Sequence, residues 1–190
     1  MNRRSRFVLG FLASLLMVGS VAYAALPPGG TFRDDDASVH QGNIEAIAAA
    51  GITRGCNPPD NDLFCPDEPV SRGQMAAFLH RALPDLPVVG ERVVFVDSVD
   101  SVFAEDIAWL VSVGVTRGCN PPKNDRFCPA ESVTRGQMAA FLVRALGLSG
   151  GGAWFTDTAG SVFAGDIAAL ADAGITRGCN PPRNDRFCPD

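Results

Sequence analysis

The sequence predicts a mainly α fold made of tandem helix–loop–helix repeats, and three observations carry that prediction. The first is a period. Phe32, Phe95 and Phe155 each stand two residues before an Asp (FRD, FVD, FTD), at steps of 63 and 60 residues, and Arg54, Arg117 and Arg177 recur at the same steps. A fixed period of this size marks an architecture in which each unit buries little alone and packs on its neighbours. The second is apolar spacing. Phe103, Ile107, Leu110, Val111 and Gly114 follow i, i+4, i+7, i+8 and i+11, and Met75, Phe78, Leu79, Ala82 and Leu83 follow i, i+3, i+4, i+7 and i+8. Each set is a single helical face. The third is a loop that returns between helices: GITRGCNPPDNDLFCP from Gly51, GVTRGCNPPKNDRFCP from Gly114 and GITRGCNPPRNDRFCP from Gly174.

Taken in order, residues 1–24 have the layout of a secretory signal peptide. Arg3, Arg4 and Arg6 form a positive start, an uncharged apolar run follows, and Ala22-Tyr23-Ala24 gives an A-x-A cleavage signal. An uncleaved anchor is the other reading, but the run is slightly short for a span. No stable membrane span is expected after cleavage. Residues 25–31 lead into the first repeat, residues 32–83. There Ile44, Ile47 and Ala48 mark a first helix that Gly51 ends, as a left-handed C′ residue does. After the loop, Ser71 with Gln74 reads as an S/T-x-x-E/Q capping box that opens the second helix. Residues 84–92 (PDLPVVGER) are a linker. The second repeat, residues 93–146, repeats the plan with Gly114 as helix stop and Thr134 with Gln137 as capping box. A Gly-rich linker, residues 147–152, leads to the third repeat, residues 153–190. Its first helix carries Ile167, Leu170 and Ala171 and stops at Gly174. The sequence reaches Asp190 before any second helix, so the third repeat is incomplete as written. A continuing chain or another chain is expected to fill that place.

Charge and motif content exclude several classes. Formal net charge is -5 over 190 residues. Loss of Arg3, Arg4 and Arg6 with the signal peptide leaves 13 basic against 21 acidic residues. Nucleic-acid-binding domains are usually basic, so no such partner is expected. The mature part has one lysine, Lys123, and its histidines, His40 and His80, recur in no other repeat. G-x-S-x-G and H-E-x-x-H are absent. The chain reads as a non-enzyme without cofactor. Trp109, beside Leu110 on a helical face, is expected in the core, and Trp154 is expected to pack near the Gly-rich linker.

The loop cysteines admit several chemistries. Zinc needs about four ligands at short spacing, whereas here each pair is C-x8-C with no recurring His. Redox pairs more often read C-x-x-C. Asn57, Asp60, Asn61 and Asp62 suggest calcium, but Lys123 and Arg183 replace Asp60 in the later repeats, which suits an oxygen-only cation site badly. No metal is expected, and the Asn-Asp pair reads as a turn former. An exported chain meets an oxidising compartment. Local disulfides Cys56–Cys65, Cys119–Cys128 and Cys179–Cys188 fit best, each contributing about 2.5–3 kcal/mol through the constrained unfolded chain.

Phe95-Val-Asp97, Gly114-Val-Thr-Arg-Gly118, Phe127-Cys-Pro129 and Val133-Thr-Arg-Gly-Gln137, with their counterparts in the other repeats, resemble the S-layer homology domain. The resemblance runs from Phe32 to Asp190. It implies a pseudo-three-fold helical spindle that anchors an exported protein to the cell wall or cell surface, with anionic cell-wall polysaccharide held in grooves between repeats. Structural self-assembly with other copies, as in a surface layer, is the alternative. In the family the T-R-A-E arginine contacts the ligand, which carries over to Arg72 and Arg135. Each stands at N1 of a capped helix, where amides and the helix dipole favour anions and a guanidinium can grip an acid bidentately. Inter-repeat or surface salt bridges are the competing role. Arg54, Arg117 and Arg177 are secondary ligand candidates, the plainer role being charge complementarity with the C-terminal carbonyls of the first helices. Two features depart from the family pattern. Val39, Val102 and Val162 stand where the family tends to carry Trp, and Gln74 and Gln137 replace the motif Glu.

Overall fold

The computed structural model describes residues 30–91, 93–152 and 154–190. The signal-peptide expectation for residues 1–24 falls outside them. Among the described residues there are five helices: α1 (Gln41–Ala49), α2 (Arg72–Ala82), α3 (Ala104–Ser112), α4 (Arg135–Leu146) and α5 (Ala164–Asp172). The only β pairing described is an isolated antiparallel bridge between Ser71 and Ser132. The chain is therefore mainly α, and no described helix is long and apolar enough to cross a membrane.

First and second helices are specified differently. α1, α3 and α5 start without a side-chain cap, at His40, Phe103 and Phe163. Their ends are firmer, because Gly51, Gly114 and Gly174 take φ of 70°, 76° and 71°, a left-handed turn that a Cβ would disfavour. α2 and α4 start on complete capping boxes. Ser71 and Thr134 accept from the Gln74 and Gln137 amides, and each Gln side chain accepts the cap N–H in return. Such a cap contributes about 1 kcal/mol.

The closest helix packing crosses repeat boundaries: α2 lies on α3, and α4 lies on α5. One core gathers Met75, Ala76 and Leu79 of α2, Ile107, Trp109 and Leu110 of α3, and Phe141 and Ala145 of α4, closed by Phe95 and Phe127. A second joins Ala139 and Val143 of α4 to Ile167, Ala169 and Leu170 of α5, closed by Phe187. α4 therefore enters both cores and ties the second repeat to the third. Full burial of such a side chain stabilises by about 1.5–3 kcal/mol, so these cross-repeat faces, not the contacts inside one repeat, hold the array together. Trp109 is in the core, 5% exposed. Trp154 differs from expectation: it is 55% exposed, and its indole N–H donates to Asp172. The Gly-rich stretch beside it offers little apolar surface to bury against, so the ring is held by its polar edge.

The cysteine loop is built alike three times. Disulfides join Cys56 to Cys65, Cys119 to Cys128 and Cys179 to Cys188. Inside each ring an Asn bridges the loop. Asn57 donates to Asp62 at 2.7 Å and accepts the Leu63 N–H at 2.9 Å, and Asn120 and Asn180 do the same for their loops. Asn61, Asn124 and Asn184 sit at φ of 54°, 52° and 55°, the left-handed region that Asn tolerates well among non-Gly residues. The Asp of F-x-D then fastens the loop end. Asp34, Asp97 and Asp157 each accept two consecutive backbone N–H groups, those of Phe and Cys at the close of the ring. Burial opposes ionisation of Asp34 and Asp157, but these amide donors outweigh it and hold both below the usual carboxylate range.

Candidate functional site

The arginine that opens each second helix reaches into the following repeat. Arg72 Nε donates to the Phe127 carbonyl at 2.7 Å, and its guanidinium carbon lies 4.8 Å from the Phe127 ring centroid and 5.3 Å from that of Phe141. Its backbone N–H donates to the Glu131 carbonyl at 2.8 Å, and the Gly73 N–H donates to the Pro129 carbonyl at 2.9 Å. A helix start leaves amides without intrahelical partners. At α2 two of them are taken by the second loop, so the expected attraction of an anion to those amides is already answered by carbonyls. Glycine follows the arginine for a steric reason: a Cβ on Gly73 would strike the Phe103 ring, and one on Gly136 the Phe163 ring.

Arg135 makes the same reach. Its Nε donates to the Phe187 carbonyl at 2.8 Å and its guanidinium lies 4.6 Å from the Phe187 centroid, while Gly136 N–H donates to the Pro189 carbonyl at 2.7 Å. The difference is cover. Arg72 is 3% exposed; Arg135 is exposed.

Beside Arg72 a groove of about 440 Å³ opens between the second loop, α4 and the start of the third repeat. Arg72, Arg117, Gln137 and Arg144 supply its polar wall, and Val162 and Phe163 part of its apolar wall. No carboxylate among the described residues lines it. Arg72 Nη1 touches Gln137 Oε1 at 3.4 Å, and its buried Nη2 has no hydrogen-bond partner among the described residues. Burial draws the guanidinium's pKa down, with Glu131 and Asp97 opposing the shift, but an arginine stays charged in proteins. A buried cation with a spare donor is costly unless something accepts from it. This groove offers a cationic, planar donor flanked by two further arginines and one apolar wall. It has the chemistry to hold an acidic group on a partly apolar body.

The sequence-derived candidates separate on this geometry. Arg72 and Arg117 meet in the groove; Arg135 lines a smaller hollow with Leu142, Leu170, Ile175 and Phe187. Arg54 and Arg177 are exposed. Among the described residues, the side chains of Arg54, Arg117 and Arg177 make no hydrogen bond to the first-helix carbonyls. Arg81 Nη1 instead donates to the Ile52 carbonyl at 3.0 Å, and Arg144 Nη1 to the Val115 carbonyl at 3.2 Å. Arg81 and Arg144 lie in the last turns of α2 and α4, from which a long side chain reaches back over its own repeat's first helix end. They were not singled out in the sequence, although the recurrence of H-R-A-L and V-R-A-L marks them. The cysteines are all paired in disulfides. The capping residues Ser71, Gln74, Thr134 and Gln137 occupy their expected places, with Gln137 also facing the groove.

Residues 31–76 match the S-layer homology domain. The chain is also 28% identical over 178 residues to a cell surface protein of Thermoanaerobacter kivui, an alignment that takes in 91% of this chain and 21% of that protein. The chain thus spans about a fifth of the length of this relative.

Proposed function

We propose, from the match of residues 31–76 to the S-layer homology domain and the same helix–loop–helix plan in the second repeat, a non-catalytic cell-surface module that binds an anionic cell-wall polysaccharide in the groove on the second repeat. The observation that carries this reading is Arg72 Nη2, a buried cationic donor without a partner among the described residues, beside Arg117 and Arg144 in a groove that no described carboxylate lines. An acidic substituent on a sugar would meet the exposed Arg117 and Arg144, reach the Arg72 donor as the groove wall gives, and lay its apolar edge on Val162 and Phe163. Charge-assisted bonds of this kind are about twice as strong as neutral ones. Export by the N-terminal segment and retention at the envelope complete the proposed role.

The test is co-sedimentation of the mature protein with purified cell walls, before and after acidic polymers are stripped chemically. Pelleting that stripping abolishes, and that Arg117→Glu weakens, supports the reading. Pelleting unaffected by both would overturn it.

A second reading is assembly with other chains at the far end of the array. Val115 is 0% exposed under α2, α4 and their neighbours, whereas Ile175, its counterpart in the third repeat, is 48% exposed. With Arg135 also exposed, this face suits another helix of the T-R-G-Q type from a second copy. Sedimentation velocity over a concentration series separates the two readings, since assembly predicts growth in size without any wall polymer.

A further inference from the structure

The first repeat carries a buried pair of acids that the other two lack. Asp35 is 0% exposed and Glu45 is 5% exposed. At the equivalent positions the second repeat has Ser98 and Ala108, and the third has Thr158 and Ala168. Ser98 and Thr158 settle their hydroxyls on the carbonyls of Phe95 and Phe155, each at 3.1 Å. Asp35 cannot do this as a carboxylate, and neither of its oxygens has a hydrogen-bond donor among the described residues.

Glu45 is surrounded differently. Its carboxylate accepts from the Thr31 N–H and the Thr31 hydroxyl, both at 2.7 Å, and from the Phe32 N–H at 3.3 Å. Gly30 leaves room for it, since a Cβ there would meet the Glu45 carboxyl carbon at 2.5 Å. Glu45, on α1, therefore fastens the strap by which the chain enters the first repeat. No counterpart exists in the other repeats, where alanine replaces it.

Two carboxyls in one dry place cannot both carry charge cheaply. One of them has three donors and the other has none. We propose that Asp35 keeps a proton and offers it to Glu45, so that the pair forms a pH-operated latch on the entry strap of the first repeat. The charged and titratable groups acting on Asp35 are Glu45, Asp36 and Asp34, all acidic. Asp36 is itself engaged by Gln41, and Asp34 by the Phe64 and Cys65 amides. Burial first, then these neighbours, push the Asp35 carboxyl up, while the Thr31 amide first, opposed by burial, draws Glu45 down.

The signs of the two acids are opposite. The raised group, Asp35, contributes its stability in full below the ordinary carboxylate range and loses it as pH rises through its raised folded value. Glu45, the lowered group, contributes above the ordinary range and loses its share as pH falls through its depressed value. The latch is therefore tightest at mildly acid pH. It loosens on the alkaline side when Asp35 surrenders its proton and two buried negative charges face each other.

Hydrogen exchange on the whole mature chain tests this, with residues 30–35 followed against residues 93–98 as internal reference and intrinsic rates divided out. Protection at residues 30–35 is expected to fall by up to about tenfold per pH unit between the ordinary aspartate range and Asp35's raised folded value, the slope for one linked proton, and to level off above it, while the reference stays level. Asp35→Asn should abolish that fall. If Asp35→Asn loses the first repeat's fold at every pH, Asp35→Ser, which installs the residue of the second repeat, gives the same readout. A parallel response of both segments, or a fall that survives in these variants, overturns the latch. So does restoration of alkaline protection by millimolar calcium or magnesium, which would assign the pair to a cation instead of a proton.

Discussion

The joint between the first and second repeats and the joint between the second and third are made of the same parts and differ in their cover. In both, an arginine at the head of a second helix donates to a Phe carbonyl of the next repeat, stacks on that ring, and is followed by a glycine pressed against the next Phe. Over the first joint lies α4, whose Phe141 closes the other side of Arg72. Nothing described lies in that position over Arg135. The lesson is that one motif serves two ends according to its surroundings. Under α4 it becomes a buried clamp with a spare donor beside a groove, and without such a helix it is a solvated ion–aromatic contact.

The largest expected effect separates the two arginines. Arg72→Ala should cost about 3 kcal/mol, because it removes a charged hydrogen bond, two ring contacts and the packing of a buried stem. Arg135→Ala should cost about 1 kcal/mol, since water replaces much of what is lost. Urea unfolding of the two variants measures this, and equal losses would break the comparison. Next in size, Val115→Ala is expected to cost about 2 kcal/mol as a buried truncation, against about 0.5 kcal/mol or less for Ile175→Ala at a half-exposed site. Thermal melts read both. Gly73→Ala and Gly136→Ala are expected to be alike, at about 1–3 kcal/mol each, because both run into a Phe ring whatever covers the arginine. A large difference between them would mean that cover, and not the ring contact, sets the joint. The smallest effects, about 1 kcal/mol each, belong to Ser71→Ala and Thr134→Ala, which remove the helix caps.

What could be read in the sequence was what is local in it. The capping boxes span three residues and the disulfides nine, so residue type and spacing alone specify them. The glycine stops were legible for the same reason. The role of Arg72 was not, because its partner carbonyl is 55 residues away and belongs to a backbone group that any residue could supply. The F-x-D aspartates were seen as markers of the period, yet their task of holding two amides about half a repeat downstream has no signature beyond that recurrence. Arg81 and Arg144 were not legible as partners of the Ile52 and Val115 carbonyls, because each reaches them from a second helix 29 residues away in sequence. Asp35 was hidden in the acidic run Asp34-Asp35-Asp36, since only the fold buries it against Glu45 of α1.

The central claim is that the groove on the second repeat, and not the equivalent surface of the third, binds the acidic wall polymer. Arg117 lines that groove, and Arg177 occupies the same place in the third repeat without a buried arginine beside it. Isothermal titration of soluble acidic wall polymer into Arg117→Glu and Arg177→Glu compares them directly, with both chains expected to remain folded because both side chains are exposed. The account predicts a loss of about tenfold or more in affinity for Arg117→Glu, a difference of about 1.4 kcal/mol, and little change for Arg177→Glu. Equal weakening by the two, or none by either, would contradict it.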